Sequence, residues 1–456
     1  MNSMLESTYR WGGSGTGWET LSDQARELIV DCGRRNWHRI HANVPSYNDK
    51  WRPLRPVIMT ASMFAALHEV SDRVAELILD SCRRRASTAG ELRRALGVAE
   101  GHIALLDDSE PLTDDLLISS RPDILFSGGV PKFVEFNIDG ALGGCFDSDN
   151  LASGFDSHYR TEAITELTGL YPPPSAVLGR LSTVANWLGD ATDRRVAMVM
   201  DWTVGHAGPV EPREFLKFLD PVVASAAEVG VELIPFWLHW LETDEQSRML
   251  VDGVPVSNML RMFVPDTAPP SSGLDALERV VQAGNVRCFT SSATWLLTNK
   301  LTLAWLWEDL AELPAPDQAL VRAHIPRTRL LTGGLVATAL AEQAGLVLKP
   351  VDGSSGRDVL LGREAAAEDW RLAIERAVQA GSFLLQDLVE SDLLPMDFIE
   401  INTGEVVEHG VPACYGPYLF GRQQCGGELR IGYPGGGSIM NVGHGALVDG
   451  FAIVPG

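Results

Sequence analysis

Apolar positions change their period several times along this chain of 456 residues, and each change marks a different kind of element. Residues 21–107 space their apolar side chains as helices do, most clearly in SMFAALHEVSDRVAELILDSC (62–82), so a mainly helical N-terminal region is predicted. The proline-bounded segment PSYNDKWRPLRP (45–56) interrupts it as a connection between helices. Residues 1–20 are polar and glycine-containing and read as a mobile arm. Farther on, RPDILFSGG (121–129) reads as a short strand running into a Ser-Gly-Gly turn. VPKFVEFNIDG (130–140) then alternates apolar and polar residues through Phe133, Glu135 and Asn137, so the two segments form a hairpin. A glycine-rich connection, DGALGGCFDSDN (139–150), follows it, and YPPP (171–174) marks a lobe boundary.

The second half is strand-rich. RRVAMVMDW (194–202) is an apolar strand, residues 213–229 are helical, and VELIPFW (231–237) is a second strand. This β-α-β pattern predicts a parallel sheet whose active edge, at the strand C-termini, would carry Trp202 and His206. DGVPVSNMLRMFVPD (252–266) reads as a turn and strand carrying Arg261, which wants either a structural acid or a substrate carboxylate as partner. TNKLTLAWLWEDL (298–310) places Lys300 at the start of an apolar, helix-like run. GLVLKPVDGSSGRDVLLG (345–362) is strand, glycine-rich loop and strand, with Lys349 ending the first strand, and FLLQDLVES (383–391) is another apolar strand. The glycine-dense segment CGGELRIGYPGGGSIMNVGHG (425–445) leads into the strand-like ALVDGFAIV (446–454), so it reads as a folded loop near the site.

Charge narrows the function classes. A formal net charge of −23 opposes nucleic acid and anionic membranes as partners. No apolar run reaches the roughly 18 residues of a membrane helix, and the first residues lack the basic and apolar regions of a signal peptide, so a cytoplasmic protein is expected. The basic run Arg83-Arg84-Arg85, with Arg93 and Arg94 nearby, ends a helix and complements its dipole. Cys32, Cys82, Cys145, Cys288, Cys414 and Cys425 have neither disulfide-scaffold nor zinc spacing.

The candidate chemistry is carried by few residues. The hairpin brings Asp123, Glu135 and Asn137 together, two carboxylates and an amide carbonyl, hard oxygen ligands suited to Mg2+ that is held mainly by substrate phosphates. Arg121 lies beside them with a guanidinium fork for developing negative charge. Of 37 cationic side chains only Lys50, Lys132, Lys217, Lys300 and Lys349 are lysines, and two of these stand where phosphate binding wants a compact positive charge. Gly353, Ser354, Ser355 and Gly356 would let backbone N–H groups approach phosphate oxygens closely.

The ordered set R-x-D, E-x-N, N-K, K-P-x-x-G-x-x-G and Q-D-L-V resembles the ATP-grasp superfamily, in the circularly permuted order of the glutathionylspermidine synthetase synthase domain. The resemblance covers roughly residues 50–456. It implies an α/β fold with nucleotide between two lobes, a β-α-β substrate lobe and a helical N-terminal region. The implied divisions are a helical region (1–115), a metal-binding hairpin (116–175), a substrate lobe (176–290), an ATP-binding lobe with its lid (291–390) and C-terminal strands completing the core (391–456). It also implies that Asp123, Glu135 and Asn137 bind magnesium and that Arg121 stabilises the transferred phosphoryl group. Lys300 and Lys349 would contact ATP phosphates, 353–356 would form the lid, and Gln386, Asp387, Leu388 and Val389 the adenine hinge. His206, Arg261 and Arg430 are the substrate-side candidates. Arg430 matches the arginine of a late strand pair, but the family's acidic residue directly after it is Ile431 here. The implied activity is ATP-dependent joining of a small-molecule carboxylate to an amine through an acyl phosphate. A phosphotransferase and a nucleotide-binding regulator remain alternatives, and an oligomer is possible.

Overall fold

The computed structural model describes residues 17–42, 44, 48–201, 212–353, 356–437 and 440–455. The arm up to residue 16, Trp202, His206, Ser354 and Ser355 therefore lie outside the described residues, while residues 17–20 of the expected arm form a helical turn. The N-terminal region is built on α1 (Asp23–Ile40) and α2 (Ala61–Arg83), with the short strands β1 (Trp51–Pro53) and β2 (Val57–Thr60) between them. Both helices start where a hydroxyl can take an orphan backbone donor: Ser22 accepts from the Ala25 amide and Thr60 from that of Met63. At the far end of α2, Arg84 and Arg85 converge on buried Asp309, so the basic run is a clamp between elements.

β3 (Ser119–Ser127) and β4 (Val130–Ile138) form the expected hairpin. Gly128 and Gly129 join them with φ of 58° and 73°, the two left-handed positions a tight two-residue turn requires. Next come α3 (Cys145–Thr161) and α4 (Ala176–Leu188). β5 (Arg195–Met200), β6 (Glu232–Trp237), β7 (Asn258–Met262) and β8 (Arg287–Phe289) make the parallel sheet, in the order β8-β7-β5-β6. It is apolar on both faces, as covered parallel sheets are. α5 (Leu301–Glu308) then begins immediately after Lys300. β9 (Thr328–Leu330), β10 (Leu346–Pro350), β11 (Leu360–Leu361) and β12 (Phe383–Asp387) form an antiparallel sheet ordered β9-β12-β10-β11, covered by α6 (Ala367–Ala380) through fully buried Trp370 and Ile374.

The last strands are β13 (Leu394–Glu400), β14 (Val406–Val411), β15 (Ala413–Phe420), β16 (Gln423–Ile431), β17 (Leu447–Asp449) and β18 (Phe451–Val454). They return to the first half of the chain. β15 pairs antiparallel with β3, which gives a five-stranded sheet ordered β17-β16-β15-β3-β4. β13 pairs with β1, and β18 lies parallel to β2. One large core of Phe, Leu and Ile side chains packs this central sheet against α2 and α5. No helix among the described residues is long and apolar enough to cross a membrane.

Candidate active site

The hairpin register sets the site. Asp123 stands opposite Glu135, and Arg121 opposite Asn137. Between Asp123 and Ile124 the register slips, because Ile124 faces Phe133 and leaves Val134 without a partner. This bulge reverses the alternation. Phe133 and Phe136 point into the core, 0% and 2% exposed, while Glu135 and Asn137 are only partly buried. The bulge also frees the Val134 carbonyl, which accepts from Lys349 Nζ at 2.6 Å.

Charges of both signs alternate across the same sheet. Arg121 Nη1 lies 2.5 Å from Glu428 Oε2 on β16, two strands away, and only 3.9 Å separates its Nε from Asp123 Oδ1. Its side chain crosses β15 at Gly416, where an added Cβ would stand 3.0 Å from Arg121 Cδ, so glycine is what leaves that path open. Arg430 Nη2 approaches Asp123 Oδ1 to 2.6 Å, and its Nε lies 3.8 Å from Glu428. Burial pushes the Asp123 carboxyl up, but the nearby Arg430 and Arg121 charges outweigh it and hold the group below the usual range. Tyr418 Oη donates to the Gly143 carbonyl at 2.5 Å, and Arg121 Nη1 to the same oxygen at 3.3 Å.

Glu428 is the functional candidate that the sequence reading missed. Ile431, where a carboxylate was sought, is fully buried in the core. The carboxylate instead precedes Arg430 by two residues, on the same face of the strand. The period-2 pair in GELRI was the signal.

The lysines approach from the opposite wall. Lys300 Nζ sits 3.0 Å from Glu135 Oε1 and donates to the Gly353 carbonyl at 2.5 Å, tying the hairpin to the base of the glycine loop. Lys349, 5% exposed, also donates to Gln386 Oε1 at 2.8 Å. Burial pushes its ammonium down to about 7, with the Glu135 charge opposing and Lys300 adding to the shift. Gly353 and Gly356 bracket the loop with φ of 152° and 71°.

A cavity of about 690 Å3 separates the central sheet from the β9–β12 sheet. Arg121, Asp123, Glu135, Asn137, Lys300, Lys349, Gly353, Gly356, Gln386, Asp387, Leu388, Val389 and Arg430 all line it. So do Arg357 and Arg363, which the sequence reading did not single out, and Gly436, Gly437, Met440 and Asn441 of the glycine-dense segment. Arg261 does not. It is fully buried, with Nη2 2.5 Å from Asp139 Oδ2 and Nη1 donating to the Phe263 carbonyl at 2.8 Å. Its partner is thus the structural acid rather than a substrate carboxylate, because a guanidinium this buried needs a fixed counter-charge.

The donor set suits a cation that brings its own ligands. Among the described residues no cluster of three or more His, Cys, Asp or Glu side chains is placed to hold a metal alone. Asp123, Glu135 and Asn137 offer two carboxylates and an amide at the cavity wall, with Asp123 Oδ1 already engaged by Arg430 Nη2 at 2.6 Å. Phosphate oxygens and water would complete such a shell.

No protein-family model matches the chain, and no curated protein does. Solved structures do match. A glutathione synthetase-like effector from Globodera pallida superposes over 92% of this chain and 91% of its own, with a TM-score of 0.55 at 12% identity. The chain has an ATP-grasp fold. A protein assigned as a gamma-glutamylcysteine synthetase from Methylobacillus flagellatus is similar over 86% of this chain and 88% of its own, with a TM-score of 0.45 at 13% identity. D-alanyl-alanine synthetase A from Vibrio cholerae covers 48% of this chain and 68% of its own, with a TM-score of 0.27 at 14% identity. The fold assignment rests on the first of these, and at such identity the likeness extends to the fold alone.

Proposed function

We propose that this ATP-grasp chain is an ATP-dependent carboxylate–amine ligase acting on amino acids or small peptides. The observation that carries the reading is the cavity itself. Arg121, Arg430, Lys300 and Lys349 face it together with Asp123, Glu135 and Asn137, and a glycine loop edges it. Phosphoryl transfer needs placement and charge neutralisation more than covalent help from the protein, and this set offers both. The substrate class is an analogy from the sequence resemblance alone.

Mg2+ would be held by Asp123, Glu135 and Asn137 and would neutralise the β,γ-phosphate oxygens when bound. Lys349 and Lys300 hold the phosphates from the opposite wall, and Gln386–Val389 receive the adenine. The substrate carboxylate oxygen forms a bond to the γ-phosphorus as the bond from that phosphorus to the β,γ-bridging oxygen breaks, releasing ADP. Arg121 stabilises the charge on the phosphoryl group in flight. The amine nitrogen then attacks the acyl carbon, phosphate leaves, and the nitrogen loses a proton. The 353–356 loop, closing over the cavity, excludes the water that would hydrolyse the acyl phosphate.

The test is the fate of ATP. Pairs of amino acids and small peptides are screened for ADP release, with mass spectrometry of the products. A ligase gives ADP and a condensed product only when acid and amine are both present. A phosphorylated product from one substrate alone would replace this reading with a kinase, and nucleotide binding without turnover on any pair would replace it with a regulatory protein.

A further inference from the structure

A second cavity, of about 960 Å3, lies behind the hinge and shares Asp387, Leu388 and Val389 with the first. Its other walls come from β4, α5 and the segment leading into β9. Four cationic side chains line it: Lys132, Arg322, Arg327 and Arg329. Its two carboxylates are already engaged. Arg329 stands 3.5 Å from Asp387, and Arg85 lies 3.1 Å from Glu308. Among the described residues neither Arg322 nor Arg327 forms an ion pair: Arg322 donates to Gln318 Oε1, Arg327 acts on Asp387 through its charge alone, and Lys132 Nζ donates to the Ala323 carbonyl. In a chain of net charge −23 these two exposed arginines therefore face the cavity without an ion pair, whereas Arg55, Arg261 and Arg430 each sit against an acid. One wall is flat and apolar. Trp307 is held there by its indole N–H, which donates to the Pro326 carbonyl at 3.2 Å.

We propose that this cavity is a second ligand site, for a small molecule with a planar apolar body and a phosphate or similar dianion. The body lies against Trp307 and the dianion meets Arg322, Arg327 and Lys132. Arginine forks and a lysine ammonium match such oxygens, and an aromatic face accepts a planar ring. A concave site with few convergent polar groups and an apolar wall is the usual form of a small-molecule pocket. The proposal does not depend on the ligase reading, because none of these three cations lines the nucleotide cavity.

The probe is 1-naphthyl phosphate, titrated into the full chain by calorimetry, alone and with the first cavity filled by a non-hydrolysable ATP analogue and Mg2+. Saturable binding is expected under both conditions, and 1-naphthol, which lacks the dianion, should bind far more weakly. The charge-reversed Arg322→Glu/Arg327→Glu chain should lose about tenfold or more in affinity, as loss of close charge contacts commonly does. Both arginines are exposed, so its melting temperature should match that of the parent. Lys349→Ala, on the other wall, should leave probe affinity unchanged. Displacement of the probe by the ATP analogue, or equal affinity in the reversed chain, would overturn the proposal.

Discussion

Lys349 is the residue whose environment says most about conditions for activity. Burial lowers its ammonium from 10.5 to about 7, and its two hydrogen-bond acceptors, Val134 O and Gln386 Oε1, are neutral. Between pH 7 and 10.5 the folded chain therefore holds fewer protons at this site than the unfolded chain, so stability rises with pH through that window. Below pH 7 the ammonium is charged in both states and the burial penalty is fully present. A nucleotide phosphate beside it would raise its pKa, so binding takes up a proton. ATP affinity is then expected to fall as pH rises above 7, at a slope approaching tenfold per unit. Calorimetry in buffers of different ionisation heat measures that proton. Lys349→Met should abolish the uptake, and an unchanged uptake would place the proton elsewhere. Arg121 makes a different prediction. If its guanidinium serves the phosphoryl group in flight, Arg121→Ala lowers kcat much more than it raises KM for ATP. Lysine in its place should rescue only in part, because an ammonium cannot keep both the Glu428 contact and the fork. A variant that melts early but turns over normally per folded molecule would make Arg121 a strut for Glu428 instead.

At the scale of elements, the buried pair Arg261–Asp139 joins the parallel sheet to the end of β4, just beyond Asn137. Gly140 follows it so closely that an added Cβ would stand 3.1 Å from the Arg261 carbonyl. Removing one partner leaves an uncompensated buried charge, so Arg261→Ala should cost about 3–5 kcal/mol in denaturant unfolding, and Arg261→Met with Asp139→Leu should recover much of it. Normal stability with weakened substrate binding would return Arg261 to the substrate side. This pair also shows where the sequence stops speaking. Hairpin, parallel sheet and glycine loop were legible because each is a local pattern of period or turn chemistry. The two possible partners of Arg261 could not be separated, since Asp139 lies in another element and pairing across elements leaves no periodic trace. The Val134 bulge was equally silent. Strict alternation puts Phe133 on the face of Glu135, and only the paired register shows that one residue is extra. Nor does any local pattern say that β15 comes back to β3, yet that return is what carries Glu428 and Arg430 to Arg121 and Asp123.

For the whole molecule, the open question is which charge an approaching nucleotide feels. Among the described residues six cationic side chains and four carboxylates line the cavity proposed for the nucleotide, a local excess of positive charge inside a chain of net charge −23. Screening decides between the two. At about 0.15 M salt the Debye length is about 8 Å, shorter than the span of the cavity, so an incoming anion meets mainly the lining. At about 0.01 M it is about 30 Å, and the whole acidic shell acts on the nucleotide before it reaches any arginine. The association rate of the Mg2+ complex of an ATP analogue is therefore expected to rise severalfold between these conditions, and then to flatten. The dissociation rate should change hardly at all, because the contacts of buried Lys300 and Lys349 are little screened by salt. Stopped-flow mixing across the salt range separates the two rates. A rate that falls with added salt would mean that the six cations steer from outside the cavity and that the net charge is spent elsewhere on the surface. The same experiment with Arg357→Gln and Arg363→Gln, exposed cations of that lining, locates the steering, for the rate should drop most at low salt, where their charge is least screened, and little at high salt.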